Sequence, residues 1–354
     1  MIAEPTVGRL ASRTVRSWTA DATTAPADAV LEVADLVLEI DTDRGPIRPV
    51  CGVSLTVPAG STLGLVGESG CGKTLTCLAA ADLLPSNVRA VRGEIRLLDM
   101  RRALDTGARC ADDDRRRLAW RRRLAMVFQN PLAALNPVRT VGWQVMEAFR
   151  VRTGASRRAA RIEALGLLER VGIPDPRSRM RAYPHELSGG MSQRVMIAMA
   201  LAGNPRLLIA DEATTALDVT VQAQIVDLMR ELQAELDTAV LFVTHDLGLV
   251  AEVADTVAVM YAGTVVETGP TRVVFDRPAH PYTAGLLRCA PRLDRDVVRL
   301  DPIDGSVPAP TAERQGCAFA PRCPRASARC TTSAVSRQAR GSAHVVACHH
   351  PMPT

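Results

Sequence analysis

Gly67, Glu68, Ser69, Gly70, Cys71, Gly72, Lys73 and Thr74 form a stretch whose residue types and spacing suit phosphate. The stretch follows STLGLV, an apolar run that reads as a buried strand, and precedes LTCLAAADLL, which reads as a helix. Glycines let successive backbone N–H groups turn inward around phosphate oxygens. The helix that begins there aims the positive end of its dipole at the same anion. Lys73 is spaced to reach β and γ phosphates, and the Thr74 hydroxyl to ligate Mg²⁺. A purely structural glycine turn is the plainer alternative, and the strand before and helix after weigh against it.

A second set of groups complements the first. LLIADE (207–212) is an apolar strand that ends in two adjacent acids. Such a strand delivers its last carboxylates to the edge of an α/β sheet where ligands bind. Asp211 is expected to hold Mg²⁺ through water, and Glu212 to take a proton from an attacking water. A third set lies late in the chain: Cys317, Cys323, Cys330 and Cys348, separated by five, six and seventeen residues. Four thiolates suit zinc or an iron–sulfur cluster, and no Cys-x2-Cys knuckle favours a zinc ribbon. His344, His349 and His350 are spare ligands nearby. Cys51, Cys77, Cys110 and Cys289 read as ordinary thiols, and Cys71 as a reactive one, because Lys73 and backbone N–H groups favour its thiolate.

Strands must carry these groups. Residues 30–66 alternate in strand fashion, and PRLLIADEA (205–213), TAVLFVTHD (238–246) and DTVAVMYAGTVVETG (255–269) supply further buried strands. VQAQIVDLMRELQAEL (221–236) has helical periodicity, and 131–195 reads as mostly helical, broken at GIPDP and Tyr183-Pro184. Strands that alternate with helices predict a parallel α/β core. After about 276, Pro, Arg and Cys dominate and periodicity fades.

Composition excludes some partners. The 354 residues carry 43 basic and 38 acidic side chains, and the formal net charge of +5 selects no partner. The arginine block RRRLAWRRR (115–123) reads as a solvated helix face, and an aromatic content of 3 % leaves few stacking platforms for nucleic acid. No apolar run approaches the roughly 18–20 residues of a membrane span. Residues 1–29 lack the apolar centre of a secretory signal and read as a disordered tail, with an organelle-targeting peptide as the alternative. Nine cysteines in a chain of this size suggest a reducing compartment rather than a disulfide scaffold.

LSGGMSQR (187–194), followed by a helix, makes the chain resemble the ATP-binding-cassette ATPases. In that resemblance Ser188, Gly189 and Gly190 match the signature loop, which binds the γ-phosphate of a nucleotide held by the opposite subunit. Gln129 in VFQNP matches the glutamine loop, implying contacts to Mg²⁺ and the attacking water. Ala216-Leu217-Asp218 matches the D-loop, and His245 in FVTHD matches the switch histidine. MVFQNPLAALNPVRTVGWQV (126–145), YPHELSGGMSQRVMIAMAL (183–201), HPYTAGLL (280–287), IDGSVP (303–308) and CAFAPRC (317–323) resemble the peptide/nickel branch of importers and its C-terminal extension.

The resemblance implies an α/β fold: a RecA-like, phosphate-loop ATP-binding-cassette domain over 30–275, with a helical signature subdomain over about 131–195. A small Cys-rich module follows over 276–354. It implies ATP and Mg²⁺ as ligands and a [4Fe–4S] cluster on Cys317, Cys323, Cys330 and Cys348. It also implies a second ATPase subunit, related but different, with a homodimer as the alternative. Two membrane permease subunits and an extracytoplasmic substrate-binding protein complete the expected system. The chain is then peripheral, at the cytoplasmic face of the membrane, with peptide uptake as its task and nickel or another small solute as the alternative. A soluble ATPase acting on nucleic acid and a metal- or redox-sensing module are the weaker rivals. Two positions depart from the family pattern: Ile40 stands where an aromatic residue stacks on adenine, and Ala213 where proline follows the catalytic acid.

Overall fold

Strand alternation at the start of the chain produces an antiparallel sheet. In the computed structural model, which describes residues 28–43, 45–103, 113–213, 219–289, 302–310, 315–341 and 343–353, β1 (Ala29–Ile40) pairs with β2 (Ile47–Pro58). Val33, Leu36 and Leu38 of β1 and Val53, Leu55 and Val57 of β2 turn inward. The chain then enters β3 (Thr62–Val66), whose five residues are all buried, as a central parallel strand requires. The phosphate-suited stretch follows, and then α1 (Lys73–Ala80).

The chain returns through β4 (Val88–Leu97) and β5 (Met100–Ala103), which complete a four-stranded sheet in the order β2-β1-β4-β5. The arginine block forms α2 (Asp113–Arg123), as its helical reading requires. It is less solvated than that reading. Trp120 is buried and donates its indole N–H to the Ala80 carbonyl at 2.9 Å. Arg117 and Arg121 reach Asp82, a buried carboxylate that also takes Arg102 of β5.

β6 (Leu124–Val127) leads into a helical lobe. Its members are α3 (Pro131–Ala134), α4 (Val141–Thr153), α5 (Arg157–Arg170), α6 (Pro176–Arg179) and α7 (Gly189–Leu201). Thr140 and Ser156 cap α4 and α5, accepting from Trp143 N and Ala159 N. Arg152 of α4 donates to the carbonyls of Met199 and Ala202, which fixes the end of α7 on the lobe.

The second half rebuilds the core: β7 (Leu207–Asp211), α8 (Val219–Leu236), β8 (Ala239–Thr244), α9 (Leu247–Val253), β9 (Thr256–Tyr261) and β10 (Thr264–Pro270). Strands β6, β7, β8, β3 and β9 are parallel neighbours, and β10 runs antiparallel to β9. This is the parallel α/β core that alternation predicts. Among the described residues, no helix is long and apolar enough to cross a membrane.

The C-terminal region, expected as a small Cys-rich module over 276–354, packs on the core of the ATPase domain. After α10 (Thr271–Asp276) comes α11 (Pro281–Cys289), whose Tyr282 is fully buried. A short helix α12 (Ala328–Thr332) and the hairpin β11 (Arg337–Ala339) and β12 (Val345–Ala347) follow. β12 pairs with β10 through Glu267↔Val346 and Thr268↔Val345, so the main sheet has eight strands ordered β11-β12-β10-β9-β3-β8-β7-β6. Phe319 belongs to the same apolar core as β9 and α11. The segment has too few large side chains for a core of its own and borrows that of the ATPase domain.

Candidate functional site

The loop between β3 and α1 folds around its own lysine. Lys73 is buried, and its ammonium donates to the carbonyls of Gly67 at 2.8 Å and Glu68 at 3.0 Å. Gly67 cannot be larger, because a Cβ there would stand 2.1 Å from the Met260 carbonyl oxygen. Gly72 has φ 101° and caps α1 with no side-chain hydrogen bond, and its missing Cβ leaves room for the Pro49 carbonyl of β2. Ser69, Gly70 and Thr74 complete the loop, and Gly70 is likewise left-handed.

Thr74 and Asp211 meet at the foot of the loop, the hydroxyl donating to Asp211 Oδ1 at 3.3 Å. β7 delivers Asp211 in register with Val243 of β8, next to β3. Burial pushes the Asp211 carboxyl above its ordinary range; the Thr74 hydrogen bond and Lys73 oppose this, and the Glu212 charge adds to it. A hydroxyl and a buried, crowded carboxylate are the oxygen donors a hard divalent cation takes, so the pair fits Mg²⁺.

Glu212 leaves the strand with φ 48°, a left-handed conformation that costs a non-glycine residue free energy. Its N–H donates to the Val243 carbonyl at 2.9 Å, which fixes the turn. Gln129, just past β6, donates its amide to Glu212 Oε2 at 3.0 Å. His245, just past β8, places Nδ1 3.5 Å from Glu212 Oε1. The next residue, Asp246, caps α9 by accepting from Gly248 N and Leu249 N, which orients the histidine. Three parallel strands thus present Gln129, Glu212 and His245 as one group. The contact seen for Gln129 is with Glu212 rather than with the Thr74–Asp211 pair, where its expected Mg²⁺ contact would lie.

Ser188 caps α7, accepting from Met191 N at 3.3 Å, and Gly189 and Gly190 open the helix. A Cβ on Gly189 would meet nothing within 4 Å among the described residues. Ile40 ends β1, half-buried, opposite Ile47 of β2 and Val88 of β4. Pro49, two residues along β2 from Ile47, leans on Gly72, so Ile40 sits at the loop's end of the antiparallel sheet. Asp218, with Ala216 and Leu217, lies outside the described residues.

Two sequence expectations at the loop need correction. Cys71 is buried, and desolvation is the largest influence on its thiol, which it raises against the lowering effect of Lys73. Burial thus works against a thiolate in that setting, and the nearby ammonium only partly offsets it. Glu68 was expected among the phosphate donors, yet its N–H goes to the Tyr282 hydroxyl at 3.0 Å and its carboxylate to Arg322. Sequence reading missed Tyr282 and Arg322 as partners of the loop. Their only signal is their place inside HPYTAGLL and CAFAPRC.

The four late cysteines lie within electrostatic reach of one another. The Cys348 thiol is pushed up to about 11, first by burial and then by the charges of Cys317, Cys323 and Cys330. Backbone N–H groups face three of the sulfurs: Phe319 and Ala320 toward Cys317, Arg325 toward Cys323 and His350 toward Cys348. The spare histidines are engaged elsewhere. His344 bonds the buried Glu267 at 2.7 Å, His349 the Ser333 carbonyl at 3.1 Å and His350 the Ser327 hydroxyl at 2.7 Å. Among the described residues, no three His, Cys, Asp or Glu side chains lie close enough to hold one metal ion.

Known proteins share both halves of this arrangement. Residues 50–215 match the ABC transporter family, and residues 266–330 match the oligopeptide/dipeptide transporter C-terminal region. The chain is 45% identical over 326 residues to the dipeptide transport ATP-binding protein DppD of Escherichia coli K12, covering 92% of this chain and 97% of that one. It is 49% identical over 309 residues to a putative peptide import ATP-binding protein of Brucella melitensis, covering 85% and 89%. Among solved structures, a dimeric ATP-binding cassette in a post-hydrolysis state with ADP and Pi superposes with a TM-score of 0.59 at 26% identity, over 68% of this chain and 99% of that chain. A cassette from the Clostridium perfringens cbiONQ transporter complex gives 0.58 at 26% identity, over 70% and 91%. The chain belongs to the ATP-binding-cassette transporter ATPases, in the group that carries the oligopeptide/dipeptide transporter C-terminal region.

Proposed function

We propose that this chain hydrolyses ATP to power the import of peptides. The observation that carries the reading is the oligopeptide/dipeptide C-terminal region built into the same eight-stranded sheet as the hydrolytic site. The dipeptide and peptide import relatives support it along most of their length.

In the reaction, the N–H groups of Ser69, Gly70, Gly72, Lys73 and Thr74 and the Lys73 ammonium bind the β and γ phosphates of ATP. Thr74 and Asp211 would hold Mg²⁺, which would neutralise charge that develops on the phosphates. Water attacks the γ phosphorus, the bond from that phosphorus to the β–γ bridging oxygen breaks, and Glu212 takes the water's proton. Gln129 and His245, already on the Glu212 carboxylate, orient it and the water. Ile40 offers adenine an aliphatic surface at the end of β1. Ser188, Gly189 and Gly190 close on the nucleotide of a second ATPase subunit, related but different or identical, and Asp218 belongs to the expected D-loop. Open space over Gly189 supports an approach from another subunit.

Two permease subunits and an extracytoplasmic substrate-binding protein complete the importer, with this chain at the cytoplasmic face. A groove of about 310 Å³ beside α2 and α4, lined by Leu118, Arg121, Trp143, Val151 and Met199, is where a permease helix would press. Cys317, Cys323, Cys330 and Cys348 would hold a [4Fe–4S] cluster. A four-iron centre takes one thiolate per iron. Its role here would be structural: it would neutralise buried thiolates and tie the segment together.

Glu212→Gln tests the hydrolytic assignment. ATP binding persists and turnover of the assembled importer falls by about a thousandfold or more. Turnover at the wild-type rate overturns it. Iron and acid-labile sulfide analysis of anaerobically purified protein tests the cluster. About four of each per chain are expected, and one zinc with no iron overturns it.

A further inference from the structure

Glu68 is the second residue of the phosphate loop and carries a negative charge beside a site for a polyanion. Two residues from the C-terminal extension occupy it. Arg322 forms a two-pronged ion pair, Nη1 to Oε2 at 2.8 Å and Nη2 to Oε1 at 3.2 Å. Tyr282 accepts the Glu68 N–H at 3.0 Å. The Arg322 side chain is only 6% exposed. It is fixed from every side: Nε donates to the Asp304 carbonyl at 2.9 Å, Nη2 to the Ile303 carbonyl at 3.0 Å and Nη1 to the Tyr261 hydroxyl at 3.3 Å. Phe319, three residues earlier, packs edge-on against Tyr261 and tilted against Tyr282. The guanidinium therefore arrives at the loop already oriented, across 254 residues of sequence.

We infer that Arg322 and Tyr282 are positioning residues for ATP binding, which act through Glu68: the C-terminal extension holds the loop's first turn in shape and cancels the charge that Glu68 would otherwise turn on the phosphates. A paired carboxylate presents little net field to an anion nearby, whereas an unpaired one repels it. A planar two-donor fork is what fixes the carboxylate in one orientation, and lysine cannot reproduce it. The hydroxyl of Tyr282 accepts the Glu68 N–H at the loop's start. The inference concerns ATP affinity alone and stands whether or not the four cysteines hold iron.

The test is equilibrium binding of a fluorescent ATP analogue to the full chain, with KM and kcat for ATP in the assembled importer. Arg322→Gln leaves Glu68 charged and unpaired, and is expected to weaken nucleotide binding by about tenfold. KM should rise while kcat at saturating ATP changes less than about twofold. Glu68→Gln removes the charge and is expected to cost less, about threefold or below. The double variant Glu68→Gln/Arg322→Gln should bind better than Arg322→Gln alone, and raised salt should narrow the Arg322→Gln deficit. A purely structural role predicts the opposite order, the double variant being the worst, with no salt effect; that order overturns the inference. So does wild-type affinity in Arg322→Gln. Should Arg322→Gln fail to fold, Arg322→Lys and Tyr282→Phe carry the test. Each is expected to raise KM by about threefold, and unchanged KM in both overturns the inference.

Discussion

The loop at 67–74 and the turn at 188–190 are both glycine-bearing entries into a helix, yet their glycines answer to different neighbours. At Gly67 and Gly72 the chain itself fills the space a side chain would need, with the Met260 and Pro49 carbonyls pressed against the backbone. At Gly189 no described residue of the chain enters that space. Ser188 and the first turn of α7 are finished as a helix start, with a side-chain cap and N–H groups pointing outward. One loop is shaped by the subunit it belongs to. The other is shaped for contact with something outside it, and glycine is needed there for the approach rather than for the fold.

The largest effect expected from that contrast is at Gly67. Gly67→Ala forces the Met260 carbonyl or the whole loop to move, with a stability loss of about 3 kcal/mol and no measurable ATP binding by calorimetry. Normal binding with an unchanged melting temperature would erase the distinction. Next comes Gly189→Ala. Stability stays within about 0.5 kcal/mol of wild type or rises slightly, since alanine favours the helix. ATP binding to the isolated subunit is unchanged, while hydrolysis by the assembled pair drops about tenfold or more. A drop in the isolated subunit's melting temperature instead would mean that the open space closes in solution. The smallest effect is at Cys71. Because the thiol is buried and raised, iodoacetamide at pH 7.5 should leave ATP hydrolysis intact over the time that exposed thiols react. Rapid, ATP-protected inactivation that disappears in Cys71→Ser would restore the reactive thiolate.

Local order explains what the sequence made legible. β3, the loop and α1 are contiguous, and apolar runs with turn residues between them announce strand, loop and helix. Asp211 and Glu212 were readable for the same reason: a five-residue apolar strand can only end where β7 ends. Gln129 and His245 sit just past β6 and β8, but the grouping around Glu212 depends on strand order, which no local pattern reports. Arg322 on Glu68 was illegible, being one arginine among many, paired across most of the chain. The arginine block misled in a related way. Charge density suggested solvent, whereas Asp82 draws two of its arginines inward and Trp120 anchors the helix. The β11–β12 hairpin was missed because three-residue strands carry too short a pattern to be seen.

The hairpin's place beside β10 bears on how the molecule avoids its own kind. A strand at the rim of a sheet offers unpaired N–H and C=O groups to any other strand that passes. Without β12, that rim would be β10, seven residues long and carrying Val265 and Val266. With it, the rim is β11, three exposed residues that begin with Arg337 and Gln338. A short, charged rim is a poor template for a second copy. The C-terminal extension therefore also acts as a selvedge on this rim of the sheet, against edge-to-edge stacking of subunits.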